Sequence, residues 1–427
     1  MRVAERMEAI PAFLFLVGVF ALGVAHVNAV VNIALYGSIA GWLLFYSKRI
    51  TQEGWRFLYP VGIFLSIYLA LALFSLLFSI DVAKSFREIR SELLQNFFLL
   101  VASFWMVVGL KESSLRYWLL ALAGILVLHM AIHLGIWVEH GGFPYRAGGL
   151  LDSGGGEKFG VWVLFFLGLS LALGVLGDSK ILKILGGGLV LVALVAIVAN
   201  NTRATLLGAI IMGASLLWLF KERSKRYLAL GAGVVLVLVS LSLLYHHGER
   251  LGHRYNLAAQ SEEIHHLFEL SPAQMKDLEK EGIDHAIASR LAMWKSIVLA
   301  LGDDPLTPRG YGRDLYKRTI AKEWSHTTQN IPYITYLFPH NAFLSMAYQL
   351  GILGLFWMVA WFGFLWRRSL LLAHSNSSYR WVGGFFFLGS VGLAVSIFFG
   401  DFFADSEARL FYILSGVMLA LDFRSRQ

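Results

Sequence analysis

Residues 159–226 read FGVWVLFFLGLSLALGVL (159–176), GDSK (177–180), ILKILGGGLVLVALVAIVANNTRATLLGAIIMGASLLWLF (181–220) and KERSKR (221–226). The apolar runs 159–176, 181–199 and 204–220 carry one charge, Lys183, and only the short polar turns between them break the pattern. Each run approaches or reaches the roughly 17 to 25 residues that a helix needs to cross a bilayer. Hydrocarbon offers no partner to a backbone N–H or C=O, so a crossing segment is either a helix or part of a closed barrel. The runs are continuous rather than alternating, which excludes the barrel.

The same pattern recurs along the chain. Of its 427 residues, 57% are hydrophobic and only 15% charged, and the mean hydropathy is +0.64. A soluble chain of this length needs more polar surface to cover its core. The spans read 10–26, 27–46, 58–79, 93–110, 115–137, 159–176, 181–199, 204–220, 227–245, 341–366, 381–399 and 407–422. The predicted fold is an all-α polytopic membrane protein of about twelve transmembrane helices. Residues 1–245 hold the first nine, 246–339 form a water-facing helical region, and 340–427 hold the last three, in one integrated membrane domain. Arg2, Arg6, the apolar stretch Ile10–Val24 and the small end at Ala29 look like a signal peptide, but Glu5 and Glu8 do not suit one, and an uncleaved first helix is expected. The chain has no cysteine, so disulfides and thiolate metal sites are excluded.

Twelve crossings put both termini on one side. That side, with its short loops and their flanks, holds 18 of the 36 Lys and Arg residues but only 7 of the 28 Asp and Glu residues. Short basic loops stay in the cytoplasm. The expected topology is a bacterial inner-membrane protein with cytoplasmic termini and the 246–339 region in the periplasm. The net charge of +8 follows this topology and does not call for nucleic acid. Within 246–339, Ser271-Pro272 reads as a helix start and Gly282 as a stop. Asp284 can cap a further helix to Leu301 with Ile287, Leu291, Trp294, Val298 and Leu301 on one stripe and Arg290 at its edge. Asp303-Asp304-Pro305 and Pro308-Arg309-Gly310-Tyr311-Gly312 are turns.

Charges at the ends of membrane spans are expensive and therefore informative. On the outer side they are Arg87, Arg146, Lys158, Arg203, Arg290, His340 and Asp401. Arg203 sits in the turn Asn200–Ala204 and by position alone suits a headgroup-level snorkelling arginine. His340 lies at the mouth of the 341–366 span, where an interfacial histidine is equally natural. The set as a whole says more. Guanidinium forks hold phosphate at any working pH, and a histidine near its reference pKa of about 6.5 can take a proton from a hydroxyl. Such a set suits transfer from a lipid-linked phosphate or pyrophosphate donor, where the leaving charge must be stabilised.

Asn201-Thr202-Arg203-Ala204-Thr205-Leu206-Leu207-Gly208 resembles the S/T-R-[G/A]-x-x-x-G element of bacterial O-antigen ligases and polymerases. Ser289–Trp294, Arg309–Gly312, Pro339–Phe343 and Leu350–Gly354 follow in that superfamily's order. The resemblance is best over 198–366 and agrees in layout over the whole chain. It implies a GT-C-like glycosyltransferase that needs no metal, nucleotide sugar or other cofactor, nearest to the ligase. The donor would be an undecaprenyl-pyrophosphate-linked glycan and the acceptor the lipid A–core. By that likeness His340 is the general base on the acceptor hydroxyl, and Arg203 and Arg290 hold the leaving pyrophosphate, with inversion at the anomeric carbon. Arg87, Arg146, Lys158 and Asp401 are further substrate-binding candidates. Lys84 and Arg87 could meet lipid phosphate or simply solvent, and Asp401 could orient His340 or cap the last helix.

Other signals carry less. His129 and His133 share a helix face but lack a zincin glutamate, and the histidines between 246 and 266 converge on no common partner. The glycine triplets at 154–156 and 186–188 lack the lysine of a phosphate loop. An O-antigen polymerase or a protein O-oligosaccharyltransferase would use the same chemistry on another acceptor. A lipid or glycan transporter expects charges along a midplane path instead.

Overall fold

The computed structural model describes residues 2–46, 49–142, 145–151, 156–219, 285–312, 315–323, 339–400, 402 and 406–427. The predicted span 227–245, the proposed helix after Ser271-Pro272, the histidines between 246 and 266, and Asp401 lie outside these residues. The first half comprises α1 (Arg2–Leu22), α2 (Asn28–Tyr46), α3 (Gln52–Ser75), α4 (Val82–Glu88), α5 (Gln95–Gly109) and α6 (Glu112–Glu139). Then come α7 (Gly156–Leu176), α8 (Lys180–Asn200), α9 (Arg203–Leu219), α10 (His285–Asp303) and α11 (Tyr316–Glu323). The chain closes with α12 (Ala342–Leu350), α13 (Ile352–Ala373), α14 (Arg380–Phe398) and α15 (Ser406–Arg424). The described residues contain no strand, and the molecule is an all-α polytopic membrane protein. Seven of these helices are long and apolar enough to cross a bilayer, and three shorter apolar ones accompany them.

The loops sort to two ends. At one end Ala25 donates to Leu150 O (2.7 Å), Ala147 to Ala199 O (3.0 Å), and Arg318 pairs with Asp81. At the other end, Arg424 donates to Leu110 O (2.7 Å) and to Glu112, capping the exposed carbonyls of α5. Arg380 there binds Leu176 O and Asp178. Between the ends, glycines let helices touch: a Cβ on Gly168 of α7 would lie 2.8 Å from the Gly389 nitrogen of α14. Small residues at such crossings are how membrane helices pack without a hydrophobic drive.

Three readings from the sequence need correction. Helix α4 does not stop before the 93–110 span; a π-helical turn, Ile89–Leu94, joins it to α5, so Val82–Gly109 runs as one rod with Glu88 and Glu92 buried. The 341–366 span is two helices. Gly351, at φ 71° and ψ 177°, ends α12 and starts α13. The two then fold against each other: Phe343 packs on Phe362 (centroids 6.4 Å), far along α13, and also on Phe398 at the end of α14. A continuous helix would carry Phe343 some 28 Å from Phe362, at about 1.5 Å per residue. The hairpin instead returns the His340 end of α12 to the bundle.

The third correction concerns α10. Its buried face carries Met293 and Ile297, which form a satellite core with Tyr316, Ile320 and Tyr348, while Val298 is 56% exposed. Ser296 is buried with them, so the buried face centres near Met293, and Arg290, half-buried, stands at its edge, about 60° away at 100° per residue. Apolar residues facing lipid and apolar residues facing protein look alike in the sequence, and packing against α11 and α12 decides which face is which.

Candidate functional site

One cluster of cations gathers around Asn200. Helix α8 ends in a left-handed residue, Asn201 (φ 48°), which turns the chain sharply into α9. Asn200 is fully buried in this turn. Its Oδ1 accepts from Thr202 Oγ1 (2.6 Å) and Thr205 Oγ1 (3.0 Å), and its Nδ2 donates to Gly156 O (2.6 Å). Thr202 and Thr205 also share a hydrogen bond with each other. Gly160 makes room for this knot, since a Cβ there would meet Thr205 Oγ1 at 2.2 Å. Three segments are thereby tied together: the 145–151 loop, the start of α7 and the start of α9. They carry Arg146, Lys158 and Arg203. Arg146 lies over the first turn of α7, within 3.7 Å of where a Gly156 Cβ would sit. Arg146 and Lys158 are exposed and Arg203 half-buried. Two helix N-termini with their free N–H groups and three cations make an anion-attracting corner.

The second group is built on α10 and α12. Trp294 donates from Nε1 to Pro339 O (2.9 Å), and its ring packs on Phe398 (5.5 Å) and Phe399 (6.1 Å). Pro339 precedes His340, and Arg290 stands one helical turn from Trp294. Both are half-buried. His340 itself has φ 52°, a left-handed conformation that costs a non-glycine residue about 1–2 kcal/mol. Asn341 follows as the N-cap of α12, its side chain accepting from Leu344 N (3.0 Å).

Helix α14 links the two groups. It runs antiparallel to α9, and a Gly208 Cβ would touch Gly392 O at 3.3 Å. Five residues outward on each helix, or about 7.5 Å, bring Arg203 level with Ile397, beside the phenylalanines on which Trp294 rests. Arg203, Arg290 and His340 therefore surround one end of α14. Arg87 is not brought to them. It is exposed on α4, whose neighbours Gly312 and Arg318 adjoin the far end of α12.

The remaining signals resolve as structure. His129 Nε2 donates to Phe20 O (3.0 Å) between the rings of Phe20 and Trp162, and His133 Nε2 donates to Ala196 O (3.2 Å) against Phe159. The two histidines pin α6 to different helices. Among the described residues no three His, Cys, Asp or Glu side chains converge as metal ligands. Asp304 belongs to a turn, and hydrogen bonds from Thr307 hold its carboxyl below the ordinary value. Asn200 was quoted in the sequence only as part of a turn. The Asn200-Asn201 pair between two apolar runs, residues that suit a left-handed turn, is the signal the sequence offers for its central place.

Comparison with known families places this geometry. Residues 188–359, less than half of the chain, match the O-antigen ligase family. The matched stretch runs from within α8 to within α13 and so contains Arg203, Arg290, His340 and the Gly351 hairpin. No curated protein matches the chain at significance. Over that stretch the chain is similar to the O-antigen ligase family.

Proposed function

We propose that this chain is a member of the O-antigen ligase superfamily and transfers a glycan from undecaprenyl pyrophosphate to a hydroxyl of the lipid A–core, on the periplasmic face of a bacterial inner membrane. The observation that carries the reading is the reversal at Gly351, which sets His340 beside the Trp294 turn of α10 and hence near Arg290. Arg203 approaches the same end of α14 from the other side.

In this reaction the acceptor oxygen attacks the anomeric carbon and its proton passes to the His340 imidazole. The bond from that carbon to the pyrophosphate oxygen breaks, and undecaprenyl pyrophosphate leaves. Arg203 and Arg290 balance the charge that develops on the leaving oxygens; guanidinium keeps its charge throughout. Arg146 and Lys158, exposed at the rim of the Asn200 cluster, attract the donor headgroup. Asp401 and Arg87 remain further substrate-binding candidates, Arg87 for a part of the glycan or lipid away from the reacting carbon. The displacement is single and inverts the anomeric centre.

Reconstituted transfer tests this reading. Purified protein, an undecaprenyl-pyrophosphate glycan and rough lipopolysaccharide are incubated with EDTA, and His340→Ala and Arg290→Ala are compared with the wild type. Transfer that survives chelation and is lost in both folded variants is expected. Lengthening of the donor glycan with no product on lipopolysaccharide would make the enzyme a polymerase. Full activity in both variants would remove the site from this place.

A further inference from the structure

Residues 304–312 form a strap that touches α3, α10, α12 and, through Ile352 N to Pro305 O (2.8 Å), the start of α13. To α10 it offers the Arg309 guanidinium, which donates to Ala300 O (2.7 Å), Asp304 O (3.2 Å) and Thr307 O (3.0 Å) and so closes the open carbonyl end of that helix. To α3 it is fastened by Tyr311, whose N–H donates to Ser75 Oγ (3.0 Å) and whose hydroxyl meets that of Tyr68 (3.1 Å). To α12 it is held by Gln349, and the Arg309 guanidinium also lies over the Tyr348 ring (5.3 Å).

Gln349 is 2% exposed. Its Oε1 accepts the Gly312 N–H (2.7 Å) and its Nε2 donates to Ser345 Oγ (2.8 Å), while its main-chain oxygen accepts the Arg309 N–H (3.2 Å). Ser345 lies one turn earlier, and its N–H donates to Asn341 O (2.8 Å), next to His340. A carboxamide can accept from the Gly312 N–H at one atom and donate to the Ser345 hydroxyl at the other without a charge. A buried glutamine that merely satisfies itself needs no second element. Here one end serves the loop that caps the Arg290 helix and the other the helix that bears His340.

We infer that Gln349 is a positioning residue: it locks α12 to the strap and so sets the spacing of His340 from Arg290. The inference rests on the proposed roles of those two residues. Gln349 touches no substrate. Donor binding to the Asn200 cluster does not depend on it, but the alignment of base and acceptor oxygen does, and a displacement near 1 Å can cost on the order of 100-fold in rate.

The test compares wild type, Gln349→Leu, Gln349→Glu, Ser345→Ala, the Gln349→Leu/Ser345→Ala double variant and His340→Ala. Rates are normalised to folded protein by titration with donor. Gln349→Leu is expected to lower kcat by about 10- to 100-fold with donor KM within about twofold of wild type. Ser345→Ala lowers kcat similarly, and the double variant falls no further than the worse single one, because both cut the same connection. Gln349→Glu keeps the acceptor for Gly312, and the Ser345 hydroxyl can turn to donate to the carboxylate, so it is expected to retain more kcat than Gln349→Leu. A kcat per folded molecule within about twofold of wild type in Gln349→Leu, or fully multiplicative losses in the double variant, would overturn the inference. If Gln349→Leu does not fold, Ser345→Ala decides the matter by the same kcat criterion. His340→Ala separates the two levels: full activity there overturns the reading of the site. A dead His340→Ala beside a normal Gln349→Leu overturns only the role of Gln349.

Discussion

Replacing Gly351 by alanine tests the hairpin on which the site depends. Gly351 adopts φ 71° with ψ 177°, a region that belongs almost wholly to glycine. An added Cβ would lie 2.5 Å from Leu306 O, 3.1 Å from Leu306 C and 3.4 Å from Pro305 O, all main-chain atoms of the strap. Neither side can yield by rotating a side chain. The backbone strain amounts to about 1–3 kcal/mol. Pushing the strap away also endangers the hydrogen bond from Ile352 N to Pro305 O (2.8 Å), one that contributes about 1 kcal/mol. Gly351→Ala is therefore expected to lose about 2–4 kcal/mol of stability and most of the transfer activity. Gly363 in the same helix supplies the control: nothing lies within 4 Å of its Cβ position, so Gly363→Ala gains about 0.5–1 kcal/mol. The assay is reversible unfolding in mixed micelles, with transfer measured on the same preparations. A Gly351→Ala protein as stable as the wild type would refute the hairpin geometry, because the strap could not then lie where the clash requires it.

Asn200→Ala removes the hub that gathers Thr202, Thr205 and Gly156 O, and leaving buried polar groups without partners costs about 1–3 kcal/mol each. A drop of about 2–4 kcal/mol in unfolding free energy and weaker donor binding are expected; donor affinity equal to wild type would detach the Asn200 cluster from the donor site. Gly168→Val forces α7 off the Gly389 backbone of α14, and its melting temperature should fall well below that of wild type, whereas an unchanged value would mean the two helices do not meet there. Asp81 caps α4 through Lys84 N and pairs with Arg318, and these bonds, the first chiefly, hold its carboxyl below the ordinary value. A depressed carboxyl stabilises the fold above its unfolded pKa of about 3.9 and loses that contribution as pH falls through the folded value. Asp81→Asn keeps the cap and drops the charge, so its melting-temperature deficit against wild type should shrink from pH 7 to pH 3; a constant deficit would remove the linkage.

Much of the architecture was legible because bilayer length and charge placement are written residue by residue. Eleven of the twelve predicted spans have helices at their positions, and the motif around Arg203 fell at a real turn. The Gly351 break was not legible. A lone glycine inside an apolar run reads as a tolerated helix residue, and what stops the helix is a strap some forty residues earlier that takes up its free backbone groups. The face of α10 was misread for a related cause: Val298 is exposed and Met293 buried, yet both are apolar. The π turn at Ile89–Leu94 left no compositional mark, and it carries the chain through with Glu88 and Glu92 buried. Candidate cations could be chosen by residue type, but only long-range contacts could group them: Arg146 with Arg203 through Asn200, and Arg290 with His340 through Trp294.

Helix α15 has a consequence for how such a protein is made. It follows every other described helix in the chain, yet it is buried at nearly every position from Glu407 to Phe423, packed on α5 and α13. Its Phe411 and Tyr412 fill the space between Phe362, Phe402 and Phe97, and its Asp422 joins Arg368 at the opposite end. A helix that emerges from the ribosome after every other described one is thus enclosed by helices from both halves of the chain. Until it arrives, its neighbours have only lipid or the insertion machinery to face. The contacts that join distant parts of the chain, such as Ser103 to Ile413, close only when this segment docks, so packing of the described bundle waits on it.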